Sequence, residues 1–334
     1  VSIPKPSWFR TDAVMVSTAP TCGISKSGGL LAKFDPTTGR KMEVTDPTTG
    51  AAMETIDDRL LEDMEALRDG KTTATLQFVP KHDLSLRHAV PVYYDRRYHD
   101  AFTAAMKTPT FAGFASATLG QLIEAKKVIV RGGHGSAPKD LRVGDVPYIK
   151  VSDLRAGLVN INPTNRVPHQ WAQRLWQGPN SGLRAFDLLS PERASRNIGD
   201  FCVLMPGQEQ ILLTREIIVL RAGPDAGFDQ FYLLWAMTLK IVRDQWHRVV
   251  FMQTNREDVG NRYLEIELPV PPSAQRAAEV SEPFRTYFLD IAGQRARLGE
   301  YLRSSDHHFF LSGVETSPED GEINLDAVDA EIVE

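Results

Sequence analysis

The sequence predicts an α+β protein: a smaller N-terminal α/β segment, a middle domain of short strands and helices, and one long C-terminal helix. Three observations carry this. Beyond Leu119, runs rich in Val, Ile and Tyr alternate with loops containing Gly and Pro, as strands packed on one side require. Residues 56–68 place Ile56, Leu60, Leu61, Met64 and Leu67 at helical spacing. Residues 273–303 repeat an apolar rhythm of alternating threes and fours through Ala277, Val280, Phe284, Tyr287, Ile291, Gln294, Leu298 and Tyr301, the pattern of a helix packed along another helix.

In chain order, Asp35-Pro36-Thr37-Thr38-Gly39 returns as Asp46-Pro47-Thr48-Thr49-Gly50, and each copy should reverse the chain because Pro presets a turn and Gly tolerates positive φ. Residues 30–34 and 41–44 are expected as short strands around the first turn, followed by the helix over 56–68, which Asp69-Gly70 ends. Strands are expected over 127–130, 146–151, 158–161 and 211–220, a buried helix over 228–248, and a last strand over 263–268. The prolines of PVPP at 269–272 should stop that strand. Pro283 is a point where the long helix would kink or restart. The expected domains are 1–110, 111–272, the helix 273–304, and an acidic, aperiodic and mobile tail 305–334.

With 334 residues, 42% hydrophobic and 24% charged, the composition is that of an ordinary globular protein. The apolar run 231–242 contains Lys240 and is too short to cross a bilayer, and VSIPKPSWFR lacks the features of a secretory signal. A start at Val suggests a processed or excised piece of a longer product. Two cysteines, Cys22 and Cys202, support neither a disulfide framework nor a paired-cysteine zinc site, and fit a reducing cytoplasm. The net charge of −5 hides an asymmetry: residues 121–262 carry +5 and residues 311–334 carry −8.

No HExxH motif, nucleophile elbow or phosphate-binding loop occurs; the glycine-rich RGGHGS at 131–136 lacks the closing Lys-Ser/Thr. Glu265 and Glu267 should share a strand face, without the Lys and third carboxylate a nuclease needs, and His307-His308 are expected as a solvated pair. No catalytic residue and no metal ligand is therefore assigned. The informative run is GDVPYIKVSDLRAG at 144–157, where Lys150, Ser152 and Arg155 cluster as a strand enters a loop. Such side chains can neutralise phosphates, bond base edges and grip guanine. Arg131, His134, Ser136 and Lys139 of the glycine-rich loop join them as candidate DNA contacts. Gln253, Thr254, Asn255 and Arg256 are candidate base readers, with helix capping the structural alternative for Thr254 and Asn255.

This run resembles the target recognition domains of specificity subunits of type I restriction-modification systems. So do ATLGQL at 117–122 before it, and FMQTN at 251–255 and LEIELPVPPSAQ at 264–275 after it. Residues 18–29 (TAPTCGISKSGG) and 90–95 (VPVYYD) are similar to the stretch that comes after the catalytic domain of type I-like adenine-N6 methyltransferases. The resemblance implies a non-catalytic chain in a prokaryotic cytoplasm that recognises a double-stranded DNA sequence for a phage-defence complex. Its partner would be an adenine-N6 methyltransferase subunit or domain, with a nuclease or translocase a further partner. S-adenosylmethionine is expected on that methyltransferase. The chain itself lacks the Asp/Asn-Pro-Pro-aromatic tetrapeptide, and FAGFA at 111–115 only half matches a methyl-donor loop. One recognition domain is found, so a two-part site would need a second copy or protein, packed through Phe284, Tyr287, Ile291 and Leu298. The alternatives are a complete but diverged adenine-N6 methyltransferase and a protein-interaction scaffold that does not touch DNA.

Overall fold

The computed structural model describes residues 9–25, 27–85, 88, 90–137, 143–193, 195–252, 257–305, 307 and 309–311. The chain divides into two compact units, Val1–Arg97 and Tyr98–Glu334.

In the first unit β1 (Ala13–Ser17) pairs antiparallel with a later strand, while β2 (Glu43–Thr45) and β3 (Ala52–Glu54) form a hairpin around the second Asp-Pro-Thr-Thr-Gly turn. In both turns the Asp carboxylate accepts from the backbone N–H groups of the two Thr residues after Pro, which holds Asp35 and Asp46 below the usual carboxylate range. The first turn is flanked by the single bridge Phe34–Lys41 rather than by the two strands expected there. Helix α1 (Arg59–Arg68) starts three residues later than the apolar spacing suggested, because the Asp58 side chain caps it on Leu61 N–H. Its buried positions are Asp63 and Leu67, whereas Ile56, Leu60, Leu61 and Met64 are exposed. Asp63 can lie inside because hydroxyls of Ser17, Thr73 and Thr75 all donate to it; they hold its carboxyl low against the opposing effect of burial. The partner of β1 is β4 (Leu76–Pro80).

The second unit opens with α2 (Arg97–Met106), β5 (Ala115–Thr118) and α3 (Leu119–Glu124), which starts in a reciprocal Thr118–Gln121 capping box. Then come β6 (Val128–Gly132), β7 (Val146–Ile149), β8 (Leu154–Arg155), β9 (Leu158–Val159), β10 (Arg166–Val167), α4 (His169–Trp176), β11 (Leu188–Pro191), β12 (Cys202–Val203), β13 (Leu212–Leu213) and β14 (Ile217–Ala222). The run expected as one strand over 211–220 is thus two strands in two sheets. One sheet runs β6-β14-β11-β12-β9-β8 and the other β10-β7-β13. The larger sheet is apolar on both faces: Ile218 and Leu220 of β14 enter one core, Ile217 and Val219 the other.

The segment expected as one buried helix over 228–248 is three: α5 (Gln230–Thr238), α6 (Lys240–Arg243) and α7 (Trp246–Val249). Leu239 is extended (φ −55°, ψ 133°) and breaks the first from the second. The later turn serves a distant element, since the buried Gln245 amide accepts from Glu267 N–H (2.8 Å) and donates to its carbonyl (2.9 Å). After the short pair β15 (Phe251–Met252) and β16 (Glu257–Asp258), a 3-10 turn at Gly260–Glu265 stands where a strand was expected. The strand is β17 (Glu267–Val270), which includes Pro269 and pairs antiparallel with β5. Pro269 is tolerated because its carbonyl accepts from Tyr232 (2.9 Å), so its donor-less nitrogen also faces away from β5. Glu265 and Glu267 consequently do not share a strand face; the former pairs with Arg248 (3.0 Å) and the latter with His99 (2.5 Å).

Ser273 then caps α8 (Ala274–Ser304), 31 residues or about 45 Å, which passes through Pro283 without ending. Among the described residues no helix is long and apolar enough to cross a membrane.

Candidate nucleic-acid interface

The site is built where β7 and β13 end together. They run parallel, with Leu212 beside Tyr148 and Leu213 beside Ile149, and Thr214 N–H continues the ladder to the Ile149 carbonyl (3.0 Å). The glycine-rich loop joins the same end: His134 and Gly135 N–H groups donate to the Leu213 carbonyl (3.0 and 3.2 Å), and Ser136 Oγ lies 3.5 Å from Thr214 Oγ1. A Cβ on Gly133 would stand 1.9 Å from the Thr214 carbonyl oxygen, so only glycine permits this approach. Ser136, Lys150 and the exposed Arg215 are thereby brought to one end of the domain.

From Lys150 the chain makes a 3-10 turn in which the Asp153 carboxylate accepts from Lys150 N–H (2.8 Å). Burial pushes the Asp153 carboxyl up, opposed by that bond and by the cations of Lys150 and Arg155. The Lys150 ammonium sits 5.8 Å from the Tyr148 ring centroid. Ser152 is exposed, and its carbonyl accepts from Arg155 Nε (2.6 Å). Arg155 is exposed, and its terminal guanidinium nitrogens make no hydrogen bond among the described residues. Between β8 and β9, Ala156 (φ 52°) and Gly157 (φ 75°) form a two-residue reversal with both φ positive, the geometry that matches strand twist. A cleft of about 460 Å³ beside this hairpin brings Asn197, Thr238 and Arg243 to Arg155, with Arg243 Nε on Asp200 (2.7 Å).

The structure divides the expected contacts. Ser136 and Lys150 lie at this end, and Ser152 and Arg155 lie in the turn and strand that follow Lys150. Arg131 and His134 are committed to the chain's own backbone: Arg131 donates to the carbonyls of Gly182 (2.7 Å) and Ser181 (3.1 Å). His134 Nδ1 accepts from Leu213 N–H (3.0 Å), so Nε2 carries the proton donated to Ser181 O (2.9 Å). Burial lowers the His134 pKa, and the neighbouring Arg131 lowers it further against that bond. Lys139, Gln253, Thr254, Asn255 and Arg256 lie outside the described residues. Arg215, Asn197, Thr238 and Arg243 were not anticipated. Arg215 sits in a run that reads as one strand, and Arg243 in one that reads as a buried helix; a Thr-Arg-Glu interruption at 214–216 was the available signal for the former.

The partner-helix residues divide as well. Phe284 and Ile291 pack on the domain's own core beside the buried Ala277 and Phe288, while Tyr287 (57% exposed) and Leu298 (41%) face outward. The expectation of one exposed four-residue surface is corrected: two of the four pack on this chain's own core and two are exposed.

An α+β domain that closes β5 on β17 and continues into a 31-residue helix is the class of architecture in hand. No protein-family profile and no curated protein matches the chain. Among solved structures it is similar to the S subunit of a type I restriction-modification system from M. genitalium, with 14% identity over 57% of this chain and 43% of that one and a TM-score of 0.36. It is also similar to the HsdS subunit from Thermoanaerobacter tengcongensis (15% identity, 77% and 59%, TM-score 0.34). A chain from a structure on complex assembly and conformational transition of the type I system is similar too (15%, 69% and 58%, TM-score 0.34). The chain spans between 43% and 59% of the length of these structures.

Proposed function

We propose that this chain recognises a DNA sequence for a restriction-modification methyltransferase or nuclease and makes no bond itself. The observation that carries the reading is that Ser136, Lys150 and Arg215 follow directly on the ladder joining β7 to β13, and that Lys150 leads into the exposed turn and strand that carry Ser152 and Arg155. Cations on a rigid hairpin neutralise phosphates and set register, and the adjacent hydroxyls and loop residues address base edges. S-adenosylmethionine would be bound by the methyltransferase partner, in a prokaryotic cytoplasm. The exposed Tyr287 and Leu298 face of α8 is the surface offered to that partner or to a second copy.

Duplex titration at several salt concentrations tests the reading. Affinity should fall steeply and log-linearly with salt, with a slope of roughly −0.9 per phosphate neutralised. Absence of duplex binding at low salt, or salt-independent binding, would refute it and leave the interaction scaffold.

A further inference from the structure

Residues 154–186 hold four Arg and seven Asn or Gln but no Asp or Glu, whereas about one residue in eight across the whole chain is acidic. A segment without carboxylates does not repel a polyanion, and Arg, Asn and Gln carry the paired hydrogen-bonding groups that match guanine and adenine edges. Several of these side chains are engaged within their own loops. Asn160 donates to the Arg155 and Leu158 carbonyls (both 3.2 Å), and Asn162 and Asn180 each accept from the backbone N–H two residues on. Gln170, Gln173 and Arg174 of α4 differ: among the described residues their side chains make no hydrogen bond or ion pair.

Successive residues of a helix turn by about 100°, so these three lie on one face of α4, opposite Ala172, Leu175 and Trp176. The apolar face is fixed to the β10-β7-β13 sheet. Ala172 and Trp176 join a core with residues of all three strands, and Trp176 Nε1 donates to the Ile211 carbonyl (3.1 Å). Leu175 packs against Gly135, where an added Cβ would stand 2.8 Å from it. The polar face is thereby held at a set rotation to the strands that lead to Lys150 and Arg215. Gln170, Gln173 and Arg174 share one shallow concavity of about 520 Å³, closed at one end by Gly178 and Pro179.

We infer that this face of α4 reads bases in the major groove, Gln170 and Gln173 addressing adenine and Arg174 guanine; the role rests on the proposed DNA reading and adds to it the residues that choose the sequence. An α-helix fits the major groove, and α4 is about 12 Å long, the rise of roughly three base pairs. Arg174, in the last turn, also complements the helix dipole, a role the two neutral amides do not share.

The full chain selects duplexes from a pool with a randomised central segment, and bound and unbound DNA are sequenced. The native chain should enrich a motif. Gln170→Ala combined with Gln173→Ala should lower the preference for adenine at one or two of its positions, by about fivefold to about 150-fold each. The rest of the motif and the salt slope should not change, because both residues are neutral. Gln173→Glu should turn one such position from adenine towards cytosine, whose N4 group donates to a carboxylate. Arg174→Ala should relax a guanine position; a salt slope shallower by about 0.9 with the motif unchanged would make Arg174 a phosphate contact and overturn its part. None of the three side chains is buried, so denaturant midpoints should stay close to native and confirm folding. An unchanged motif in folded variants, or an equal loss of affinity on every sequence, would overturn the inference and leave the DNA reading in place. So would a native chain that binds duplex with a steep salt dependence but enriches no motif. No duplex binding at low salt would refute both.

Discussion

Under the proposed reading, changing Lys150 and Arg155 together to Ala removes two phosphate-neutralising cations while keeping the backbone bond and the reversal that shape this stretch. The bond that shapes the 3-10 turn comes from Lys150 backbone N–H, and the reversal after Arg155 depends on Ala156 and Gly157; both survive the change. The lost Arg155–Ser152 bond is exposed and costs about 1 kcal/mol or less. If each cation neutralises one phosphate, the slope of log affinity against log salt becomes shallower by about 1.8. Between about 50 and 200 mM salt the native chain should then lose roughly twelvefold more affinity than the double variant. Fluorescence anisotropy with a labelled duplex measures the slope, and a denaturant midpoint checks folding. An unchanged slope in a folded double variant would refute the placement of phosphates on this hairpin.

Gly133→Ala forces a Cβ into the Thr214 carbonyl and should cost about 1–3 kcal/mol in denaturant unfolding while weakening duplex binding. His134 has its pKa lowered by burial, so the unfolded chain binds its proton more readily; stability is full above about pH 6.5 and falls as pH drops below it. Unfolding curves from about pH 7.5 to about pH 5 should show His134→Gln removing part of that fall. Phe288→Ala should cost about 3–5 kcal/mol, whereas Tyr287→Ala and Leu298→Ala should stay within about 0.5 kcal/mol and lower the mass of any assembly seen by light scattering.

Periodic and turn-borne features were legible from residue order. The Asp-Pro-Thr-Thr-Gly reversals and the helix that starts after Ser273 are each set by neighbours within a few residues, although that helix runs through Pro283, where a kink or restart was expected. Features set by distant partners were not. Nothing near Asp63 in sequence announces that Ser17, Thr73 and Thr75 will enclose it and turn the apolar side of α1 outward. Likewise nothing near Gln245 in sequence announces that its amide will act as a rung for Glu267, and nothing marks Leu239 as the extended residue that divides the apolar run. At the site, a basic residue beside glycines has the same appearance in sequence whether its charge is offered or spent. Arg131 spends its charge on the Ser181–Gly182 carbonyls, and Arg215, hidden in an apolar run, is the one left at the surface.

Under the proposed reading, helix α8 would set where the domain is held relative to a partner. Successive residues turn by about 100°, so Phe284, Phe288 and Ile291 share the side that packs on the core, while Tyr287, Gln294 and Tyr301 lie about 60–100° round the helix from Phe284 and are exposed; Leu298, close in angle to Ile291 but farther along, is exposed too. The packed side fixes the domain at one position along the helix, since sliding it by a turn would withdraw Phe288 from the core. The exposed residues remain available to a partner. A partner that covers Tyr287, Leu298 and Tyr301 would therefore hold the β7–β13 end at a set distance and rotation from itself. If the proposed function holds, the spacing between two recognised DNA segments would follow from where along α8 the partner sits, and the cations at 150 and 155 would serve to position the duplex.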